Sequence, residues 1–254
     1  SSSREGLRRM GLALQAGGFA VLRLNLRGAD PGRHLAGGTY AARCNSDLLP
    51  VIKRARELAC GRPLFGAGIS LGGTMLLNAC LAQPGVLDGL FCASSPLDLA
   101  ACSASIERPR NRVYQRWLLQ RLVRQTLADP FGVSEREQRQ LSGDAAPRTI
   151  RAFDSVVTAP RWGFDDVDAY YQEASPFQHL IAAPDRLPPT LLLQALDDPW
   201  VPAVSALSLQ EALPEKSSIR QTFTRRGGHN GFHGRGGCWG DQLALRWLQS
   251  IVER

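Results

Sequence analysis

A serine set between two glycines, Gly68-Ile69-Ser70-Leu71-Gly72, constrains this chain more than any other feature. Upstream, Pro63 to Ile69 is a short apolar run of the length expected for one buried strand. Downstream, Leu71, Met75, Leu76, Ala79 and Cys80 recur at helical spacing as far as Leu81, the pattern of a helix buried on one face. A strand that turns at once into a helix forces the residue at the turn into a tight backbone. Flanking glycines let strand and helix pass each other without Cβ clashes, and the serine hydroxyl then projects into a cleft. Ser70 is therefore the candidate nucleophile.

With 25 glycines in the chain, the same five-residue pattern also arises by chance, so the case rests on partners. A serine hydroxyl is a poor nucleophile until an imidazole takes its proton and a carboxylate orients and stabilises that imidazole. Thr190 to Ala195 is an apolar run that leads into Leu196-Asp197-Asp198-Pro199-Trp200-Val201-Pro202. This puts carboxylates at the carboxyl end of a strand, where open α/β sheets bind ligands. Either aspartate could serve there, and turn-making or helix capping is the structural use of the same residues. Histidine occurs only at 34, 179, 229 and 233. His229, in Gly227-Gly228-His229-Asn230-Gly231, follows the strand-like Ile219 to Thr224 and has the setting of a loop-borne base. His233 lies nearer the final helix and His179 in a middle segment. The order along the chain is serine, acid, histidine.

Together with these segments, Leu24-Asn25-Leu26-Arg27-Gly28, Arg112-Val113-Tyr114-Gln115-Arg116-Trp117-Leu118-Leu119, Arg151-Ala152-Phe153-Asp154 and Gly227-Gly228-His229-Asn230-Gly231-Phe232 make the sequence similar, over nearly its whole length, to the YheT-like branch of the α/β-hydrolases. These are esterases related to the ABHD-type hydrolases. The tyrosine-arginine helix and the Arg-x-Phe-Asp segment are more diagnostic of this branch than the serine turn. The resemblance implies an α/β-hydrolase fold, a mostly parallel sheet with helices on both faces and a helical cap insertion. It implies Ser70, Asp198 and His229 as nucleophile, acid and base, with Asp198 preferred to Asp197 because Asp-Pro-x-Val-Pro is the usual acid turn. The backbone N–H of Leu71 is then one oxyanion donor.

Two departures stand out. The family usually has a histidine after the tyrosine of Gly38-Thr39-Tyr40-Ala41-Ala42, where this chain has Ala41. The family's His-Gly oxyanion turn and the strands before it belong upstream of a Ser-rich lead into the first helix, whereas this sequence opens at Ser1-Ser2-Ser3. An N-terminally shortened member is the expectation, lacking the strand between the counterparts of Phe19 to Asn25 and Pro63 to Ile69. Loss of the second oxyanion donor would cost roughly 3 to 4 kcal/mol, or a factor of about 100 to 1,000 in turnover.

The remaining elements alternate as a parallel sheet with helices requires. A helix is expected over Arg4 to Gln15, a strand over Phe19 to Asn25, and a helix capped by Asp47 and running through Leu58 with Pro50 in its first turn. Strands follow near Gly89 to Ala93, up to Asp197 and at Ile219 to Thr224, with helices near Ala203 to Leu213 and Trp239 to Val252. The reading is one domain over 1–254, with a core of about 1–96 and 188–254 and a cap insertion of about 97–187. That insertion carries a helix from Asn111 to Ala128 with an apolar face and Arg112, Arg116, Arg121 and Arg124 charged.

Composition narrows the function. At 254 residues and 44% hydrophobic content, the chain is long enough for one globular α/β domain. No apolar run approaches the roughly 18 residues of a membrane span. With no signal peptide at the visible start, a cytoplasmic location is expected. The six cysteines show no C-x-x-C pair and no histidine at ligand spacing, so neither metal nor cofactor is expected. The net charge of +7 comes almost wholly from scattered arginines, without the concentrated patch or module of a nucleic-acid binder. The expected partner is a small-molecule ester, short- to medium-chain or lipid. Arginines of the insertion could also touch a membrane surface, although a solvated face accounts for them more simply. Acyl transfer to an alcohol or thiol, or a catalytically impaired scaffold, are the alternatives to ester hydrolysis.

Overall fold

The apolar runs Gly89–Ala93 (β2) and Thr190–Ala195 (β3) are buried at every position, so they need cover on both faces and belong at the centre of a parallel sheet. In the computed structural model, which describes residues 5–253, they pair with each other. Phe65–Ile69 (β1) and Ile219–Thr224 (β4) flank them, in the order β1-β2-β3-β4 with every pair parallel. Side chains alternate across this sheet. Leu90, Cys92 and Leu192 point into a core shared with α2 (Asn45–Ala59) and α3 (Leu71–Ala82). Phe91, Ala93, Leu191 and Leu193 face the opposite core, with α1 (Glu5–Ala16) and α12 (Trp239–Val252).

Between β2 and β3 the chain forms α4 (Leu99–Ile106), α5 (Arg112–Leu127), α6 (Glu135–Gln140), α7 (Ile150–Phe153), α8 (Ala159–Arg161), α9 (Val167–Ala174) and α10 (Pro176–Ala182). A π-helical turn, Asp154–Thr158, joins α7 to α8. Helix α11 (Val204–Ala212) follows β3, and a two-stranded ribbon, β5 (His233–Gly234) with β6 (Gly237–Cys238), precedes α12. Asn78, buried on α3, binds the segments together, its amide donating to the carbonyls of Ala42 and Ala174 at 2.9 Å each. Among the described residues no helix is long and apolar enough to cross a membrane.

Most element boundaries fall within two residues of the sequence reading; Arg4, read as the start of the first helix, lies outside the described residues. Two expectations need correction. Phe19 to Asn25 is not a strand. Phe19 meets Phe65 edge-on with ring centroids 5.8 Å apart. A cavity of about 1680 Å³ has both Ala20–Leu24 and β1 in its walls. A strand exists only through a ladder partner, and among the described residues β1 pairs with β2 alone. Leu22 is left 66% exposed.

Asp47 is not a cap. Cys44 holds the N-cap position of α2 without a side-chain bond. Asp47 instead accepts a two-pronged bond from Arg27, Nε to Oδ2 at 2.7 Å and Nη2 to Oδ1 at 2.6 Å, while Arg27 Nη1 donates to the Gly37 carbonyl at 2.8 Å. Planar guanidinium matches planar carboxylate, and this charge-assisted pair outcompetes one backbone N–H. Asparagine caps helices as well as aspartate does, so Asp47→Asn separates the two roles. As half of a partly exposed fork, it is expected to lower stability by about 1 kcal/mol, read as a lower urea midpoint; an unchanged midpoint would return Asp47 to capping.

Candidate active site

The turn from β1 into α3 puts Ser70 at φ 54°, ψ −133°, a left-handed backbone that costs a non-glycine residue on the order of 1–3 kcal/mol. Neighbouring bonds hold it there: Ser70 N–H donates to the Ala93 carbonyl at 2.8 Å, and Gly73 N–H donates to the Ser70 carbonyl at 2.9 Å. A Cβ at Gly68 would lie 2.5 Å from the backbone Cα and N of Gly73, so strand and helix touch there backbone to backbone. Leu71 opens α3, and N–H groups in a first helical turn have no carbonyl within the helix to bond.

Because the strands are parallel, the loops after β1, β3 and β4 open at the same edge of the sheet. They bring Ser70, Asp198 and His229 together. His229 Nε2 lies 2.9 Å from Ser70 Oγ, and His229 Nδ1 lies 2.9 Å from Asp198 Oδ2. An ionised carboxylate only accepts hydrogen bonds, so the tautomer that satisfies both neighbours carries its proton on Nδ1 and accepts the serine O–H at Nε2. The Asp198 side chain is fully buried, and that of His229 is 11% exposed. Asp198 Oδ1 accepts the N–H groups of Trp200 and Val201 at 2.9 and 3.0 Å. Asp197 works differently, its Oδ1 accepting the Gly228 N–H at 2.8 Å and so pinning the loop that carries the histidine. His233 lies in β5, and His179 in α10, away from this cluster.

Ser70 and His229 open on the large cavity, whose walls also include Leu118 and Leu122 of α5, Phe153 and Tyr171. Ala41, at the position of the family's usual histidine, is 1% exposed and belongs to a buried cluster with Tyr170, which lines the same cavity. Asp154, half-buried on the π-helical turn, accepts from Thr158 Oγ1 at 2.6 Å and from the Tyr171 hydroxyl at 2.9 Å. Burial raises its pKa to about 6 against those two bonds.

Sequence reasoning missed the aromatic surroundings of the histidine. Trp200, two residues past the acid, has its ring centroid 4.7 Å from that of His229, and Tyr114 stacks on Trp200. The available signal was Asp-Pro-Trp itself, an aromatic held beside the carboxylate by two prolines.

Two outcomes test this construction. Gly68→Ala drives a methyl into the Gly73 backbone and is expected to cost about 3 kcal/mol or more. Gly72→Ala, with nothing within 4 Å of the new Cβ, should be neutral or stabilising by up to about 1 kcal/mol; equal losses in thermal melts would contradict the close approach. Asp154 binds its proton more tightly folded than unfolded. Its contribution is therefore complete below the ordinary aspartate range and lost as pH rises through about 6. Asp154→Asn should flatten urea-midpoint differences between about pH 4 and 6.5, removing on the order of 2 kcal/mol of pH dependence.

With that geometry in place, comparison with known proteins fixes the family. The chain matches the alpha/beta hydrolase family over residues 4–236. It is 30% identical over 249 residues to the mouse protein named phospholipase ABHD3, a match that covers 93% of this chain and 57% of that protein. To the Escherichia coli protein YheT, provisionally named an esterase, it is 35% identical over 205 residues, 75% of this chain and 56% of YheT. The chain thus spans little more than half the length of these curated relatives. A crystal structure of Paleococcus ferrophilus monoacylglycerol lipase shares the fold at a TM-score of 0.52 and 18% identity, over 96% of this chain and 88% of that one. The chain belongs to the alpha/beta hydrolase family, in its YheT- and ABHD-like branch.

Proposed function

We propose that this chain is a serine hydrolase of carboxylic esters with apolar acyl groups, in which Ser70 is the nucleophile, His229 the general base and Asp198 the acid. The observation that carries the reading is the unbroken row from Asp198 through both imidazole nitrogens to Ser70 Oγ. His229 takes the serine proton as Oγ attacks the ester carbonyl, and Asp198 stabilises the imidazolium. The Leu71 N–H, at the positive end of α3, faces the charge that develops on the carbonyl oxygen. His229 then returns the proton to the leaving alcohol. Water, activated by the same imidazole, cleaves the acyl-enzyme.

The apolar walls of the cavity favour a hydrocarbon acyl chain over a peptide or sugar, and the phospholipase name of the mouse relative fits that class. Helices α4 to α10 act in this reading as a cap that selects the acyl group. A fluorophosphonate probe tests the assignment. Labelling of the wild-type chain at Ser70 is expected, with none in Ser70→Ala and a rate lower by roughly 10³–10⁴ in His229→Ala and Asp198→Asn. Absence of wild-type labelling, or labelling that survives Ser70→Ala, would remove the hydrolase reading. Product analysis with a competing alcohol separates hydrolysis from acyl transfer.

A further inference from the structure

The hydrogen bonds to His229 fix where its nitrogens lie but leave its tilt loosely determined. Such bonds weaken steeply only when the angle at hydrogen falls below about 120°, so the imidazole could lean by tens of degrees and keep both partners. Its backbone is tied down by the bonds from the Gly228 N–H to Asp197 and from the Gly231 N–H to the Gly227 carbonyl at 2.9 Å, but these do not fix the side-chain torsion that sets the ring's tilt. Proton transfer demands more, since a catalytic group must be held within about 0.5 Å and 10–20° of its productive geometry. A packed neighbour must restrain the ring.

Trp200 is that neighbour. Its ring lies 4.7 Å from the imidazole centroid at an interplanar angle of 52°. Tyr114 of α5 is stacked nearly parallel on Trp200, 3.5 Å away at 9°. Tyr114 in turn lies 5.8 Å from Trp117, over which the Arg121 guanidinium sits at 5.0 Å. The same helical segment grips the backbone of the acid turn. Ser105 Oγ of α4 and Asn111 Nδ2, just before α5, donate to the Pro199 carbonyl at 3.0 and 2.8 Å, and Asn111 also donates to the Ser105 carbonyl at 2.8 Å. Ser105 and Asn111 are 2% and 5% exposed, so these bonds are protected from water.

We propose that Trp200, backed by Tyr114, is a positioning residue that sets the tilt of the His229 imidazole, so that the reactivity of Ser70 depends on how the α4–α5 segment is docked. This rests on the proposed roles of Ser70 and His229 and adds to them a mechanical link from the insertion to the base. It also gives a use to the tyrosine-arginine helix that the sequence singles out. The aromatic faces restrain rotation through packing, without a covalent or proton-transfer step of their own.

Saturation kinetics of the fluorophosphonate probe test the idea, because they split binding from the chemical step. For Trp200→Ala and Tyr114→Leu, the maximal labelling rate is expected to fall roughly 10- to 100-fold, with half-saturation little changed. Trp200→Phe and Tyr114→Phe, which keep the ring faces, should remain close to wild type. A rise in half-saturation with an unchanged maximal rate would make Trp200 a wall for the substrate and overturn the proposal, as would wild-type kinetics in both truncated variants. Proton NMR gives a readout that needs no turnover. The low-field resonance of the Nδ1 proton between His229 and Asp198 should persist in the phenylalanine variants and broaden or vanish in Trp200→Ala and Tyr114→Leu. If the wild-type chain fails to label, the hydrolase reading falls, and this resonance still decides the positioning. An identical resonance in wild type and Trp200→Ala would overturn it. Far-ultraviolet circular dichroism of each variant identifies any that is unfolded, and the Trp200 and Tyr114 truncations then stand in for each other.

Discussion

The contact on which this structure depends is that of backbone with backbone where β1 turns into α3. Gly68 lies against Gly73 so closely that no side chain fits between them, and the turn that results holds Ser70 in a left-handed conformation at the mouth of a cavity. The strain at Ser70 is sustained because the flanking elements are fixed by burial: β1 is laddered to β2, and α3 is wedged between the sheet and α2. Packing energy gathered along two elements is concentrated on one residue. The hydroxyl is thus aimed by the fold and needs no support from a loop.

The loops that supply the partners inherit their positions from the same sheet. Four parallel strands end at one edge, so residues separated by more than a hundred positions meet within a few residues of the strand ends. The order along the sheet matters as well. β3 and β4 are neighbours, and the acid turn and the histidine loop that follow them are neighbours too. Ser70 reaches them across the end of β2, where the Ala93 carbonyl receives the Ser70 N–H.

Much of this was legible because it is written in local patterns. Glycine spacing marks the serine turn, short unbroken apolar runs mark β2 and β3, and Asp-Pro and Gly-Gly-His mark the other two loops. Ser70 and His229 could be named from those marks and the acid narrowed to Asp197 or Asp198, with the resemblance preferring Asp198, and their meeting follows from the parallel order. What was not legible depends on partners far away in sequence. Phe19 to Asn25 has strand composition but no ladder, and composition cannot report a neighbour. Asp47 has the position and chemistry of a cap, yet Arg27, twenty residues earlier, offers two donors where the helix offers one. The stack of Tyr114 on Trp200 joins α5 to the acid turn across most of the insertion and the whole of β3, and neither residue announces the other.

The adjacent aspartates carry a consequence for tolerance to motion. Asp198 holds the imidazole, and Asp197 holds the backbone that bears it, through Gly228. Acid and base are therefore carried by one bracket across the tips of β3 and β4, and excursions of that bracket as a unit leave their mutual spacing intact. Displacement collects at the single joint where the bracket faces the serine. Of the two proton contacts in the row, the outer one is the natural throttle.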